Sequence, residues 1–182
     1  MERLMSLRTK GLCTVTAAAL LMFSLYTRTA LAQGVGAVLQ PTKERKGAPE
    51  LDLQDSFGKL VSLKDYRGKV VLLDFWATWC HGCKEEIPWF AEFERKYSDK
   101  GLSVIGVSLD EDGWKVVKPF TKAMAVPYRI VLGNESTAKE YGVGSMPDTF
   151  IIDRDGRIAA TYMGMVDKND VERNIQKLLS QN

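Results

Sequence analysis

Apolar residues along this chain fall into two kinds of pattern. Val70–Phe75 is a continuous apolar run broken only by Asp74, and Leu102–Leu109 is a second, largely apolar run. Runs of this length suit strands of a parallel sheet, buried on both faces. Tyr128–Leu132 predicts a third short strand, and Glu50–Asp55 and Lys59–Ser62 two more around the turn Ser56-Phe57-Gly58. Helical spacing takes over in Cys80–Tyr97, with Ile87, Phe90, Ala91 and Phe93 as its apolar positions. Asp112–Ala125 is amphipathic and helical in part, with Pro119 inside it, and Ser136–Tyr141 is a short helix ending at Gly142. Thr149–Asp153 and Arg157–Tyr162 read as strands joined by Asp155-Gly156, a strong hairpin signal. Asp167–Ser180 closes the chain as a helix, with Asp167 as N-cap and Val171, Ile175, Leu178 and Leu179 on one face.

The order βαβ, βαβ, hairpin, helix predicts an α/β or α+β domain of three layers. The 182 residues fit one domain. With 45% hydrophobic and 26% charged residues, the chain can build a core without disulfide staples. The formal charge of +2 is unevenly placed. Residues 1–32 hold Arg3, Arg8, Lys10 and Arg28 against Glu2, and the remainder carries 21 basic and 22 acidic residues. No basic face remains, which argues against nucleic acid as a partner.

The first residues have the layout of a secretory signal. Met1–Lys10 is basic, Gly11–Tyr26 is apolar, and Ala30-Leu31-Ala32 gives a small-x-small cleavage site before Gln33. A membrane span needs ~20 apolar residues, so this run is short for an anchor. Residues 1–32 therefore read as a signal peptide cleaved after Ala32, the alternative being an anchor over residues 11–26. Cys13 lies in the apolar run, and Lys10 upstream does not suit a lipid-attachment site. Residues 33–47 read as a flexible linker, and 48–182 as the folded domain. The exported chain keeps only Cys80 and Cys83, in a periplasmic setting where disulfides persist.

The chemistry concentrates in Phe75-Trp76-Ala77-Thr78-Trp79-Cys80-His81-Gly82-Cys83-Lys84, which follows a buried strand and opens a helix. The thiols are three positions apart, so both lie on one helical face. A thiolate is the nucleophile, and a free cysteine pKa of ~8.5 falls to ~3.5–7.5 at such helix starts. The helix dipole supplies ~0.3–1 kcal/mol, up to ~2 when partly buried. At ~1.4 kcal/mol per pKa unit the dipole accounts for about one unit. Further lowering needs hydrogen bonds from free helix N–H groups or from the Cys83 thiol. A structural bridge over so short a loop constrains little of the unfolded chain. A metal site needs more ligands than the lone histidine, His81, provides. C-x-x-C beside a βαβ pattern reads as a redox dithiol, with Cys80 attacking and Cys83 resolving.

These residues resemble the thioredoxin superfamily. Trp79, Cys80, Cys83 and Lys84 match its motif, Asp74 its buried acid, and Pro88 its helix-kinking proline. Leu102–Gly142, Met146-Pro147 and Thr149–Tyr162 resemble the exported TlpA/ResA/DsbE-type branch. The resemblance implies a mixed central sheet with helices on both faces, and an extra αβ segment after the first βαβ unit. It implies a Cys80–Cys83 disulfide and a cis Met146-Pro147 bond facing it, where cis is otherwise the rarer form. Asp74, among apolar neighbours, suits a base for the Cys83 thiol. Glu86 resembles a glutamate near the active site of this branch, although a solvated helix residue fits its position too. Trp79, His81, Gly82, Met146, Pro147 and Asp148 are the expected substrate-binding residues. Trp76 and Trp89 read as packing. His81-Gly82 stands where x-Pro is commoner.

The resemblance implies a thiol–disulfide oxidoreductase that reduces specific exported protein disulfides, with cytochrome c maturation as a setting. No cofactor is expected beyond the redox-active Cys80–Cys83 pair. Expected partners are protein thiols and disulfides and a membrane-bound electron donor, with the protein itself monomeric. A disulfide-forming oxidase remains an alternative. So does a metal or apoprotein carrier without turnover, although copper carriers of related fold need a histidine distant from the dithiol. A peroxidase lacks its preceding threonine and proline here. Counting Asp74, Glu86 and Asp148 as three charges against a fractional His81 cation predicts a reducing pair.

Overall fold

A computed structural model describes residues 34–181, and the leader assigned to residues 1–32 lies outside them. The strand predicted at Val70–Phe75 is β3, Val70–Trp76, and every one of its residues is buried. It pairs on both sides. The parallel partner β4, Leu102–Ser108, runs from Val70 opposite Leu102 to Trp76 opposite Ser108. The antiparallel partner β6, Asp148–Ile152, sets Asp74 opposite Thr149. With β5, Arg129–Leu132, and β7, Ile158–Met163, the sheet order is β5-β4-β3-β6-β7. A short hairpin, β1 Asp52–Gln54 and β2 Leu60–Ser62, precedes it.

Side chains of β3 alternate between two cores. Val70, Leu72 and Trp76 face α1 (His81–Tyr97), α2 (Trp114–Ala123) and α4 (Lys168–Leu179) through Ile87, Phe90, Val117 and Ile175. Val71, Leu73 and Phe75 face the hairpin and α3 (Glu135–Tyr141) through Leu51, Val61 and Tyr141. Each such buried side chain is worth about 1.5–3 kcal/mol over leaving it in water. The expected mixed sheet with helices on both faces is present. So is the extra αβ segment: α2 and β5 follow β4, and β5 extends the sheet in parallel. The final helix is capped as expected, Asp167 Oδ1 accepting the Asp170 N–H at 2.9 Å.

Residues 34–47 differ from the flexible linker expected there. Val35 forms a parallel bridge with Val166, and the Gln40 N–H donates to Ala159 O at 2.8 Å. Arg45 is buried and pairs with Asp153 at 3.1 Å. Backbone and charge partners hold this stretch, which has no apolar period for a sequence pattern to reveal.

Gly106, opposite Asp74 on β4, has a steric reason to be glycine. A Cβ there would lie 2.7 Å from Ile130 Cδ1 and 2.9 Å from Trp76 Nε1. Gly106→Val should cost about 1–3 kcal/mol through overpacking, read as a lower denaturation midpoint in urea at unchanged slope.

Candidate active site

The site forms where β3 hands the chain to α1. Ala77, Thr78 and Trp79 bridge the two elements, and the Cys80 N–H donates to Ala77 O at 3.1 Å. Cys80 is the N-cap of α1. Its Sγ accepts the Cys83 N–H at 3.2 Å, the bond that a serine or aspartate oxygen makes elsewhere. No acid occupies the first turn of α1, so the positive end of its dipole stays available to a Cys80 thiolate. Cys80 and Cys83 form a disulfide with Cα atoms 5.4 Å apart. Cys83 has no exposure at all, whereas Cys80 keeps 4%.

Asp110, just past the end of β4, holds the connecting loop from below. It accepts the Thr78 N–H at 2.9 Å and the Thr78 hydroxyl at 2.5 Å, and Ser108 Oγ donates to it at 2.9 Å. Sequence reading missed it. The available signal was its position at the carboxyl end of a parallel strand, the edge where α/β sheets place their sites.

The expected substrate-binding residues gather around the disulfide. Met146-Pro147 is cis. Gly82 lies against Pro147, since a Cβ built on it would sit 3.4 Å from Pro147 Cδ. Met165, another residue missed by sequence reading, also lies there, its Cβ 3.9 Å from the Cβ built on Gly82. Trp79 is 67% exposed beside Cys80, and Met146 is half-buried. His81 points outward, its Nε2 3.4 Å from Glu85 Oε1. Trp76 is buried against Phe120, and Trp89 is partly buried on the same core.

Asp74, Glu86 and Asp148 are all buried, so Glu86 is not the solvated helix residue its position also allowed. Thr149 Oγ1 donates to Asp74 Oδ1 at 3.3 Å, the Val166 N–H to Glu86 Oε1 at 2.6 Å, and the Gly164 N–H to Asp148 Oδ1 at 3.2 Å. Among the described residues Asp74 Oδ2 and Glu86 Oε2 have no hydrogen-bond partner. Desolvation, then the nearby Glu86, pushes the Asp74 carboxyl well above the usual carboxylate range. Glu86 is pushed up to about 7, first by desolvation and then by Asp148 and Glu85, while the Val166 N–H opposes the rise. Asp148 is raised by desolvation. Counting three full charges was therefore wrong. Burial weakens the charge on each acid, and Glu86, near 7, is divided between its two forms at neutral pH.

The sequence pattern of the AhpC/TSA family matches residues 45–161. The chain belongs to the AhpC/TSA family. Within it, the thiol-disulfide oxidoreductase ResA of Bacillus thuringiensis (strain Al Hakam) is 33% identical over 157 residues, 86% of this chain and 87% of that protein. ResA of Bacillus cereus (strain ATCC 10987 / NRS 248) is 38% identical over 135 residues, 73% of this chain and 77% of that one. A crystal structure of a DsbE-type thiol:disulfide interchange protein from Chlorobium tepidum superposes with TM-score 0.71 at 33% identity. It covers 75% of this chain and 97% of its own. This AhpC/TSA member is thus a thiol–disulfide oxidoreductase of the ResA and DsbE type, with a thioredoxin-like fold.

The raised carboxyls give a pH dependence of stability with a definite sign. A carboxyl that binds its proton more tightly folded than unfolded contributes fully below its unfolded pKa, and the contribution is lost as pH rises through the folded value. For Glu86 the window runs from 4.5 to about 7. Urea denaturation should therefore show stability falling from pH 5 to pH 8. Glu86→Gln should reduce that fall by up to about 3 kcal/mol, at ~1.4 kcal/mol per pKa unit.

Proposed function

We propose that this oxidoreductase is exported and works as a reductant of selected protein disulfides, in a setting such as cytochrome c maturation. The exchange proceeds from the reduced dithiol. The Cys80 thiolate attacks one sulfur of the client disulfide, forming a mixed disulfide and expelling the other client sulfur as a thiolate. The Cys83 thiol then gives its proton to the carboxyl pair of Asp74 and Glu86, and its sulfur attacks Cys80 Sγ. The Cys80–Cys83 disulfide forms, and the second client thiolate leaves and takes up a proton. Two electrons pass to the client, and a membrane-bound thiol donor restores the dithiol. The pair of cysteines is the only redox group this sequence of steps needs.

The observation that carries this reading is the buried acid pair on the dithiol side of the sheet. Glu86 follows Cys83 by one helical turn, and Asp74 shares the core face that Cys83 occupies. Each has an oxygen without a partner among the described residues and a raised proton affinity, Glu86 up to about 7, as a base for a thiol requires. Trp79, Met146 and Pro147 supply the docking surface. An extended client segment would add to the Met146 backbone as a strand does. The export reading rests on the leader motif and on the ResA and DsbE relationship. Among the described residues no helix is long and apolar enough to cross a membrane.

The two thiols should behave differently. In the reduced protein Cys80 should be alkylated first. Cys83→Ser should accumulate mixed disulfides with clients, and Cys80→Ser should be inert. Asp74→Asn should slow release of the mixed disulfide while sparing the first attack. Faster labelling of Cys83, or a normal release rate in Asp74→Asn, contradicts the assignment.

The direction of flow follows from charge. Negative charge on Glu86 and Asp148 disfavours a thiolate, and the His81 ring is turned outward onto Glu85. A less stable thiolate makes the dithiol a better donor. Equilibration with glutathione or dithiothreitol buffers should give a potential below roughly −200 mV, nearer thioredoxin than DsbA. A value near about −120 mV would mark an oxidase instead.

A further inference from the structure

The stretch 34–37, which has no part in the chemistry above, reaches the site from the far side. The Val35 N–H donates to Met165 O at 2.7 Å, and the Asp167 N–H donates to Val35 O at 2.9 Å. These two bonds bracket Val166 as one rung of parallel pairing. In that geometry the N–H of the bracketed residue faces away from the partner strand. The Val166 N–H does so, and it is the group that donates to Glu86 Oε1 at 2.6 Å. Met165, whose carbonyl takes the Val35 N–H, has its Cβ 3.9 Å from the Cβ built on Gly82. Further along, the Ala37 N–H donates to Asp170 Oδ2 at 2.9 Å, and Asn174 Nδ2 donates to Ala37 O at 2.8 Å. The stretch is therefore tied at one end to α4 and at the other to the peptide that holds Glu86.

Gly34 makes the close approach possible. A Cβ on it would lie 2.1 Å from Val166 O and 2.5 Å from Asp167 N, so any side chain there must push the two segments apart. Gly36 is under no such demand, its nearest neighbour to a built Cβ being Asp170 Cγ at 3.6 Å. We propose that residues 34–37 are a strap that positions Glu86 for its part in the dithiol reaction, with Gly34 and Val35 as positioning residues. The proposal rests on the reading of Glu86 as a proton-handling group.

The physical argument is one of orientation. A buried carboxyl with one donor on one oxygen takes its direction from that donor. The other groups facing Glu86 are Asp74 from β3, Asp148 from β6, Tyr128 ahead of β5, and Glu85 on its own helix. Desolvation, Asp148 and Glu85 push Glu86 toward its protonated form, and the Val166 N–H opposes them. Loosening the strap frees the 165–167 peptide and weakens that opposition.

The test uses the whole exported chain in four variants: Gly34→Val, which wedges the strap open; Val35→Pro, which removes its N–H; Gly36→Ala as control; and Glu86→Gln. Two quantities are read against pH: the titration midpoint of the Glu86 carboxyl by carbon-13 NMR, and the rate of mixed-disulfide release. Gly34→Val and Val35→Pro should raise the midpoint by about one pH unit, the scale of a weakened bond to a charged group. The release profile should move with it. Gly36→Ala should change neither, and a loss of stability alone would lower the melting temperature without moving the midpoint. An unmoved midpoint in either folded strap variant, with Glu86→Gln still slowing release, overturns the strap and leaves the reading of Glu86 intact. Release unaffected by Glu86→Gln removes that reading and the strap's role with it.

Discussion

Everything at this site depends on β3 being enclosed on all sides. It is paired along both edges and covered on both faces, so a carboxyl placed midway along it has no route to water. Asp74 is that carboxyl. A single hydroxyl, from Thr149 on the neighbouring strand, is its partner, and its second oxygen has none among the described residues. Burying an ionised carboxylate on those terms is costly, and the cost pushes the proton affinity of the group up. Glu86, brought in by α1, meets the same enclosure and an acid already present. The protonation states that the exchange reaction uses are thus consequences of strand burial, set before any client arrives.

Much of this was legible in the sequence, and the reason is locality. The unbroken apolar run of β3, the period of α1, the Asp155-Gly156 turn and the Asp167 cap each follow from a few neighbouring residues. The dithiol motif is local too, and it fixed both cysteines and the face on which Glu86 lies. Opaque to sequence reading were the contacts made across the chain. Asp110 binds Thr78 from 32 residues away, and Val166 offers Glu86 a backbone N–H that carries no side-chain signature. The charge of the acids was misread for the same reason. Three carboxyls in a sequence look like three negative charges until burial decides how many ionise.

The ordering of 34–47 shows the limit from another angle. Pro41, the lysines and the glycines of this stretch suggest a loose tether. It is held instead by backbone groups that find partners on β7, on α4 and on the segment between them. Composition reports how much apolar surface a segment can bury, and it is silent about which unpaired backbone lies within reach.

That pairing has a bearing on how the protein tolerates its own clients. A sheet margin is a template for any extended chain that passes. Along β7, Gln40 bonds Ala159, the Ile158 N–H donates to Lys46 O, and Gly47 bridges Arg157; at β5, Asp55 bridges Val131. One stretch of chain, the residues ahead of β3, thereby occupies both margins. The sheet's outer edges are shielded from fibril-like growth, since the backbone groups an added strand would use are already paired at these points.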